Sequence, residues 1–434
     1  MASTHRAAPG FWLAVVVTGA GTGLAAAALM HLLNVVQHTL WPGAGMDLLD
    51  AAARADWTRH LAILLGAGVL TSVGRLLLGR LPGTSIDVTS AIWLHAGRLP
   101  ALRSLGSAVL SVVVVGMGVS LGRESAPKQA GAVIANAASD RGRLSDDARR
   151  LLVACGAGAG LAAAYGVPLG GALFALEVLR GELALRFVLP ALLTSLIATG
   201  VAWLFLPDAP TYAIPAYAGS LGSAVWVLLA GPVAGLVAVL YVRAVAWADR
   251  HRPKGGLGVA APVLALGLLG AVSIPFPQLL GNGRDVAELA FTGQVTPLLL
   301  LALLLLKPAA TLLCLGSGAP GGLFTPSLTL GALLGGVLGY PWSLLWPGVP
   351  PGLFAVLGAA AVLAATTQGP ISTVVLMVEL TGQARSFILP LLLVVVVATL
   401  TARLIEARSI YDARLSDEEV RERQRQRDPT LKDG

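Results

Sequence analysis

Gly156-Ala157-Gly158-Ala159-Gly160-Leu161-Ala162-Ala163 stands beside Gly358-Ala359-Ala360-Ala361-Val362-Leu363-Ala364-Ala365 at a constant shift of 202 positions, 156 to 358. The register continues without a gap, placing Pro168 on Pro370 and Glu177 on Glu379. Composition alone aligns alanines in an Ala/Leu-rich chain, but it does not also align a proline and a glutamate in the same order. A Gly-Ala helix, a proline break, an apolar helix and a closing carboxylate therefore form a repeated unit. The chain reads as two homologous halves.

The surrounding composition says where those halves sit. Of 434 residues, 56% are hydrophobic and only 12% are charged, about half the charged share of an ordinary soluble domain. A polytopic, all-α membrane protein is the class that fits, since a bilayer core takes roughly 20 apolar residues per helix. Runs of that kind cover 11–33, 60–81, 102–121, 151–179, 187–206, 224–247, 258–274, 297–315, 323–346, 351–380 and 387–404. The first is too long, and too poorly followed by a cleavage site, for a signal peptide, and is expected to be retained. Gly166-Val167-Pro168, Gly318-Ala319-Pro320 and Gly369-Pro370 interrupt several runs. Irregular backbone at membrane depth is tolerated only where protein or a wet cavity shelters it, so broken helices are expected there.

Other classes fall away on residue types. Cys155 and Cys314 both lie in apolar stretches, which leaves no disulfide framework. The six histidines, His5, His31, His38, His60, His95 and His251, show no zinc-protease spacing, so neither a metal site nor a cofactor is expected. Ser317 has no histidine after His251 to activate it, which removes an intramembrane hydrolase; the chain is not expected to be an enzyme. The net charge of +7 resides largely in Arg141, Arg143, Arg149 and Arg150, in Arg243, Arg250, Arg252 and Lys254, and in the tail from Arg403. These flank apolar runs, so they mark cytoplasmic loops and not a nucleic-acid surface.

Upstream of each repeat copy lies a glycine-led element, Gly122-Arg123-Glu124-Ser125-Ala126 and Gly322-Leu323-Phe324-Thr325-Pro326. Paired broken helices in two halves point to a midplane site whose helix N-termini face an anion. Each such end offers unpaired N–H groups and about half a positive charge, worth roughly 0.3–1 kcal/mol to an anion, or about 2 when partly buried. Weak binding suits transport; a full Lys or Arg in the site would hold the ion too long to release it. Glu124 is a carboxylate at such an end. It either pairs with Arg123 at a membrane edge, or it occupies the anion's position as a tethered competitor and acts as a gate. Glu177, with Arg180 three residues on, and Glu379 read as structural charges. Lys307 closes an apolar run before Pro308 and reads as a snorkelling or partly buried charge.

Gly-Arg-Glu at 122–124, Gly-Ser-Gly-Ala-Pro-Gly-Gly-Leu-Phe-Thr-Pro at 316–326, the 156–177 segment and Tyr411 together resemble the CLC family of chloride channels and proton-coupled chloride transporters. The likeness runs from about Phe11 to Leu415 and is greatest to the bacterial voltage-gated CLC-type chloride channels. It implies a homodimer in the bacterial inner membrane, each subunit with its own pathway for chloride or a similar small anion, built from two halves of inverted topology. The expected layout is a cytoplasmic segment 1–10, a first membrane half 11–207, a second membrane half 208–407, and a short cytoplasmic tail 408–434 without a CBS domain. Both termini are then cytoplasmic, and the lipid bilayer is the other partner.

Carried over residue by residue, Glu124 resembles the external gating glutamate. The amides of Leu323 and Phe324 and the hydroxyl of Tyr411 resemble the central chloride ligands, and the amides of Arg123 and Glu124 an outer site. On sequence alone Tyr411, in a charged juxtamembrane segment, reads as an interfacial anchor before a ligand, and only the family pattern raises it. Three positions depart from the family. Pro82-Gly83-Thr84-Ser85-Ile86 stands where Gly-Ser-Gly-Ile-Pro is usual, so Gly83 replaces the chloride-ligating serine, with Thr84 or Ser85 as alternative hydroxyls. Ser125-Ala126 stands where Gly-Pro is common. Val178 takes the place of the internal proton-transfer glutamate, and a valine offers no way station to a proton. The resemblance therefore implies a passive channel gated by Glu124 with weak or no proton coupling; the alternative is a proton/chloride exchanger with another internal relay.

Overall fold

In a bilayer the backbone must satisfy its own polar groups, so the apolar runs have little choice but to become helices. The computed structural model describes residues 9–41, 43, 47–84, 86–383, 386–406, 408–416, 418–421 and 423. Seventeen α-helices occur among them. The first half carries α1 (Pro9–Leu40), α2 (Leu48–Ala53), α3 (Trp57–Gly79), α4 (Val88–Leu94), α5 (Ala101–Gly116), α6 (Ser125–Arg141), α7 (Asp146–Tyr165), α8 (Pro168–Phe174) and α9 (Leu185–Ala202). The second carries α10 (Leu221–Arg250), α11 (Gly255–Ser273), α12 (Arg284–Phe291), α13 (Pro297–Ser317), α14 (Phe324–Leu345), α15 (Pro351–Thr367), α16 (Pro370–Thr381) and α17 (Ile388–Ile405).

Eight of them (α1, α3, α9, α10, α11, α13, α14 and α17) are long and apolar enough to cross a bilayer. Their outward leucines, such as Leu13, Leu264, Leu298 and Leu404, are exposed on the protein surface, as lipid-facing side chains must be. This is a multi-pass membrane protein. The helices break where the sequence breaks: α7 gives way to α8 at Gly166-Val167, α13 stops at Gly318, and α15 gives way to α16 at Gln368-Gly369. One expectation is corrected. Lys307 does not end a helix, because α13 continues through Pro308 to Ser317. The ammonium is buried and donates to the carbonyls of Leu279, Leu280 and Gly281 at 2.9, 3.1 and 3.0 Å, which uses all three of its protons.

The repeat governs packing as well as order. α6 lies on α7 in one half and α14 on α15 in the other, and both crossings are made of glycine. A methyl group added at Gly131 would overlap the carbonyl of Gly156, and one at Gly331 the carbonyl of Gly358. Small residues let helix backbones approach this closely, and packing of that kind holds membrane helices together where lipid removes the hydrophobic drive.

The halves are inverted, which the shift of 202 did not reveal. Gly122 and Gly322 form an antiparallel bridge, each amide donating to the other's carbonyl at 2.8 and 2.7 Å. Glu177 and Glu379 are exchanged across the same symmetry. Glu177 accepts from the amides of Ile371 and Ser372 at 3.1 and 2.6 Å, at the start of α16. Glu379 accepts from Leu169 and Gly170 at 3.0 and 2.7 Å, at the start of α8. Each carboxylate thus caps the other half's helix, not its own neighbour Arg180, whose guanidinium lies over the rings of Trp93 and Phe187. The halves differ by one residue beyond that point: Gly181 follows Glu177 by four and Gly382 follows Glu379 by three. A π-helical turn, Ala175–Arg180, absorbs the extra residue.

Candidate anion site

The antiparallel glycine bridge sets the N-termini of α6 and α14 side by side. Glu124 precedes α6, and its carboxylate crosses to α14. Oε1 accepts from the amide of Phe324 at 2.8 Å, while Oε2 accepts from the hydroxyls of Tyr165 and Thr325, both at 3.2 Å. Those two hydroxyls are 2.7 Å apart. No part of Glu124 is exposed. Without partners an ionised group in such a place is prohibitively unfavourable. Three donors and the positive end of α14 make it tolerable, and the same donors would suit any compact anion. The alternative of an Arg123–Glu124 ion pair is not formed. Arg123 turns its guanidinium over the Tyr165 ring, 4.9 Å from the centroid.

Glycine at 122 and 322 is what admits the carboxylate, because a Cβ at either would overlap its Oε1. On one side of Glu124 a cavity of about 240 Å³ is lined by Arg123 with Asn34, Asp47, Asn282, Arg284 and Asp285. On the other side an aromatic chain leads away: Tyr165 to Phe324 at 6.0 Å, Phe324 to Phe174 at 6.3 Å, and Phe174 to Tyr411 at 5.7 Å between centroids. Tyr411 thus ends a run of aromatic contacts that begins at Tyr165, beside the Glu124 carboxylate. Its hydroxyl is buried and has no hydrogen-bond partner among the described residues.

A basic cavity of about 570 Å³ lies at the end of the molecule that carries the α10–α11 loop. Arg75, Arg103, Arg252, Lys254 and Arg414 line it with no carboxylate among the described lining residues, although Asp249 behind them pairs with Arg252 at 2.6 Å and with Arg414 at 3.4 Å. Burial, and then Arg414 nearby, pulls Arg252 down to about 10, so it stays charged at neutral pH. Low-dielectric walls bearing one sign of charge focus field and concentrate the opposite ion.

Of the residues singled out in the sequence, the structure joins Glu124 to Phe324 directly. Leu323 stands at the α14 N-cap, Arg123 is tied in through Tyr165, and Tyr411 through Phe174. Gly83 is placed elsewhere. It is exposed, has a φ of +90°, and its carbonyl accepts from Arg103. The residue at the N-terminus of α4 is Asp87, whose Oδ1 accepts from the amide of Thr89 at 2.9 Å. Thr84 also precedes that helix, and Ser85 lies outside the described residues.

Four contributors were not visible in the sequence. Tyr165 and Thr325 clamp Glu124, Asp87 caps α4, and Lys128 lies buried one turn into α6. The signal for Lys128 was present, since it is one of only four lysines in the chain. Val178 is buried, and its carbonyl accepts from Arg423 at 3.0 Å. Arg423 pairs with Asp412, and a cavity of about 420 Å³ beside Val178 is lined by Glu177, Glu182 and Asp412.

Comparison with known proteins agrees with this geometry. The family profile described as "Voltage gated chloride channel" matches residues 70–403. A "Putative chloride channel protein ClcB-like" of Ralstonia nicotianae is 31% identical over 95% of this chain and 96% of its own length. An "H(+)/Cl(-) exchange transporter ClcA" of Vibrio parahaemolyticus is 31% identical over 72% of this chain and 69% of its own. Among solved structures, a slow cyanobacterial Cl⁻/H⁺ antiporter superposes with a TM-score of 0.81 at 25% identity, covering 97% of this chain and 99% of that one. A buried carboxylate on a helix N-terminus, glycine-bridged inverted halves and a profile match over most of the sequence converge: this chain belongs to the voltage-gated chloride channel (CLC) family and serves chloride transport across a membrane.

Proposed function

We propose that this protein is a passive chloride channel gated by Glu124, with weak or no proton coupling. The observation that carries the reading is the Glu124 carboxylate seated on the Phe324 amide with Tyr165 and Thr325 as further donors. A chloride ion needs that same set. While Glu124 is ionised it competes for the donors and closes the path. When it takes up a proton from the cavity lined by Arg123, its hold on three donors weakens, the side chain leaves, and chloride replaces it. The central ligands are then the amides of Leu323 and Phe324 and the hydroxyl of Tyr411, with the amides of Arg123 and Glu124 as an outer stop. Gly83 contributes through Arg103, which its carbonyl orients at the basic cavity.

The basic end is cytoplasmic by the positive-inside rule, with both termini on that side of the bacterial inner membrane. The protein works as a homodimer in the bilayer, one pathway per subunit. Ions arriving from the basic cavity meet an electrostatic funnel, and no metal or cofactor takes part.

Uncoupled conduction is supported by Val178, which cannot carry a proton inward from the gate. The acids around its cavity, Glu177, Glu182 and Asp412, support a second reading as a proton/chloride exchanger with a displaced relay. Purified protein in sealed vesicles with a chloride gradient and a pH-sensitive dye separates the two. Chloride flux without uphill proton movement is expected. Protons driven uphill at a fixed ratio to chloride would establish the exchanger.

A further inference from the structure

Lys128 presents an unusual combination. It lies in the first turn of α6, where the helix dipole repels a cation. It is only 8% exposed, yet its ammonium makes no hydrogen bond and no ion pair among the described residues. Its neighbours are two aromatic faces, Tyr411 at 4.3 Å and Phe174 at 5.0 Å from the ring centroids. Glu124 and Asp87 are the carboxylates and Arg414 the cation whose charges act on it, none of them as a direct ion pair among the described residues. Lys307 shows how this chain treats a buried ammonium that is purely structural: three carbonyls take its three protons.

The hydroxyl of Tyr411, whose ring the ammonium faces, is itself buried without a hydrogen-bond partner among the described residues. Two donors, one of them charged, thus meet at the Tyr411 ring with no acceptor for either among the described residues. Cation–π attraction to the two rings offsets only part of what an isolated buried ion loses on leaving water. The complement of such a pair is a small anion.

Resting on the reading of this site as a chloride pathway, we infer that Lys128 is an anion ligand, its Nζ holding chloride together with the Tyr411 hydroxyl. It supplies there the positive charge and donors that the loop at Gly83 does not. A lysine in the path tightens occupancy and slows release. Asp87 at the start of α4 offsets part of that charge, so the ion can leave toward the basic cavity.

Chloride binding to the purified full chain, by titration calorimetry with potassium chloride, tests this with Lys128→Met and Lys128→Arg. Lys128→Met is expected to weaken chloride binding at least about fivefold, and Lys128→Arg to stay within about twofold of wild type. A structural cation–π role would leave the dissociation constant of a folded Lys128→Met protein in place, and a loss below about fivefold overturns the inference. Should Lys128→Met not fold, bromide-soaked crystals of the wild type decide. An anomalous peak within about 4 Å of Lys128 Nζ supports the assignment, and a map without one overturns it. Vesicle flux separates the two claims. Wild-type protein that moves no chloride ends the transport reading and this inference with it. Wild-type protein that moves chloride, paired with undiminished binding in Lys128→Met, ends this inference alone.

Discussion

Glu124 shows how much one side chain can do when it copies its ligand. Its carboxylate takes a backbone amide and two hydroxyls, and on the proposed reading chloride uses that same set of donors. That arrangement makes Tyr165 and Thr325 latch residues. A hydrogen bond to a charged acceptor is worth about 1.5–3 kcal/mol. Removing one, in Tyr165→Phe or Thr325→Val, is expected to loosen the closed state and raise chloride flux at neutral pH roughly tenfold. Flux assays on reconstituted vesicles check this; unchanged flux in both variants would mean the hydroxyls do not hold the gate. The Gly-Arg-Glu motif made Glu124 legible from sequence. Its partners were not, because Tyr165 is 41 positions away and Thr325 is 201, and only the fold brings them together. Lys128 stayed hidden for a different reason: α6 carries Lys128, Gln129 and Asn136 among its alanines and reads as polar, although the helix is largely buried.

At the scale of elements, the aligned prolines and glutamates marked helix starts and ends correctly. What they did not convey is exchange. Similarity at a fixed shift records common descent and is silent on direction, so the reciprocal capping of α16 by Glu177 and of α8 by Glu379 had to be seen. Glu379→Ala leaves the amides of Leu169 and Gly170 without their acceptor. A lost N-terminal cap costs about 0.5–2 kcal/mol, and a lower melting temperature in detergent is the expected result. Glu177→Ala should lower it by a similar amount through α16. Variants melting at the wild-type temperature would show that water replaces the carboxylates. The start of α4 at Asp87 was not legible in the sequence, because a helix of only seven residues carries too little periodicity to announce itself. Pro308 was read as an end because proline usually is one; within α13 the helix passes it and keeps Lys307 inside.

For the whole molecule, composition sufficed to place the chain in a bilayer, and the repeat sufficed for two halves. Inversion follows from the glycine bridge, and it explains why two N-termini of opposite halves can face one ion. The glycine crossings at Gly131 and Gly331 then hold α6 and α14 against their partners so that those ends do not splay. A basic cavity at one end and the Glu124 clamp at mid-path give the molecule its polarity. All of it depends on Glu124 and chloride competing for the same donors. The pH dependence of chloride flux in vesicles carrying wild-type protein or Glu124→Ala tests that most directly. Wild-type flux should rise as pH falls and Glu124 takes up its proton, while Glu124→Ala should conduct at every pH without further change; a Glu124→Ala protein that keeps the wild-type pH dependence would contradict the account.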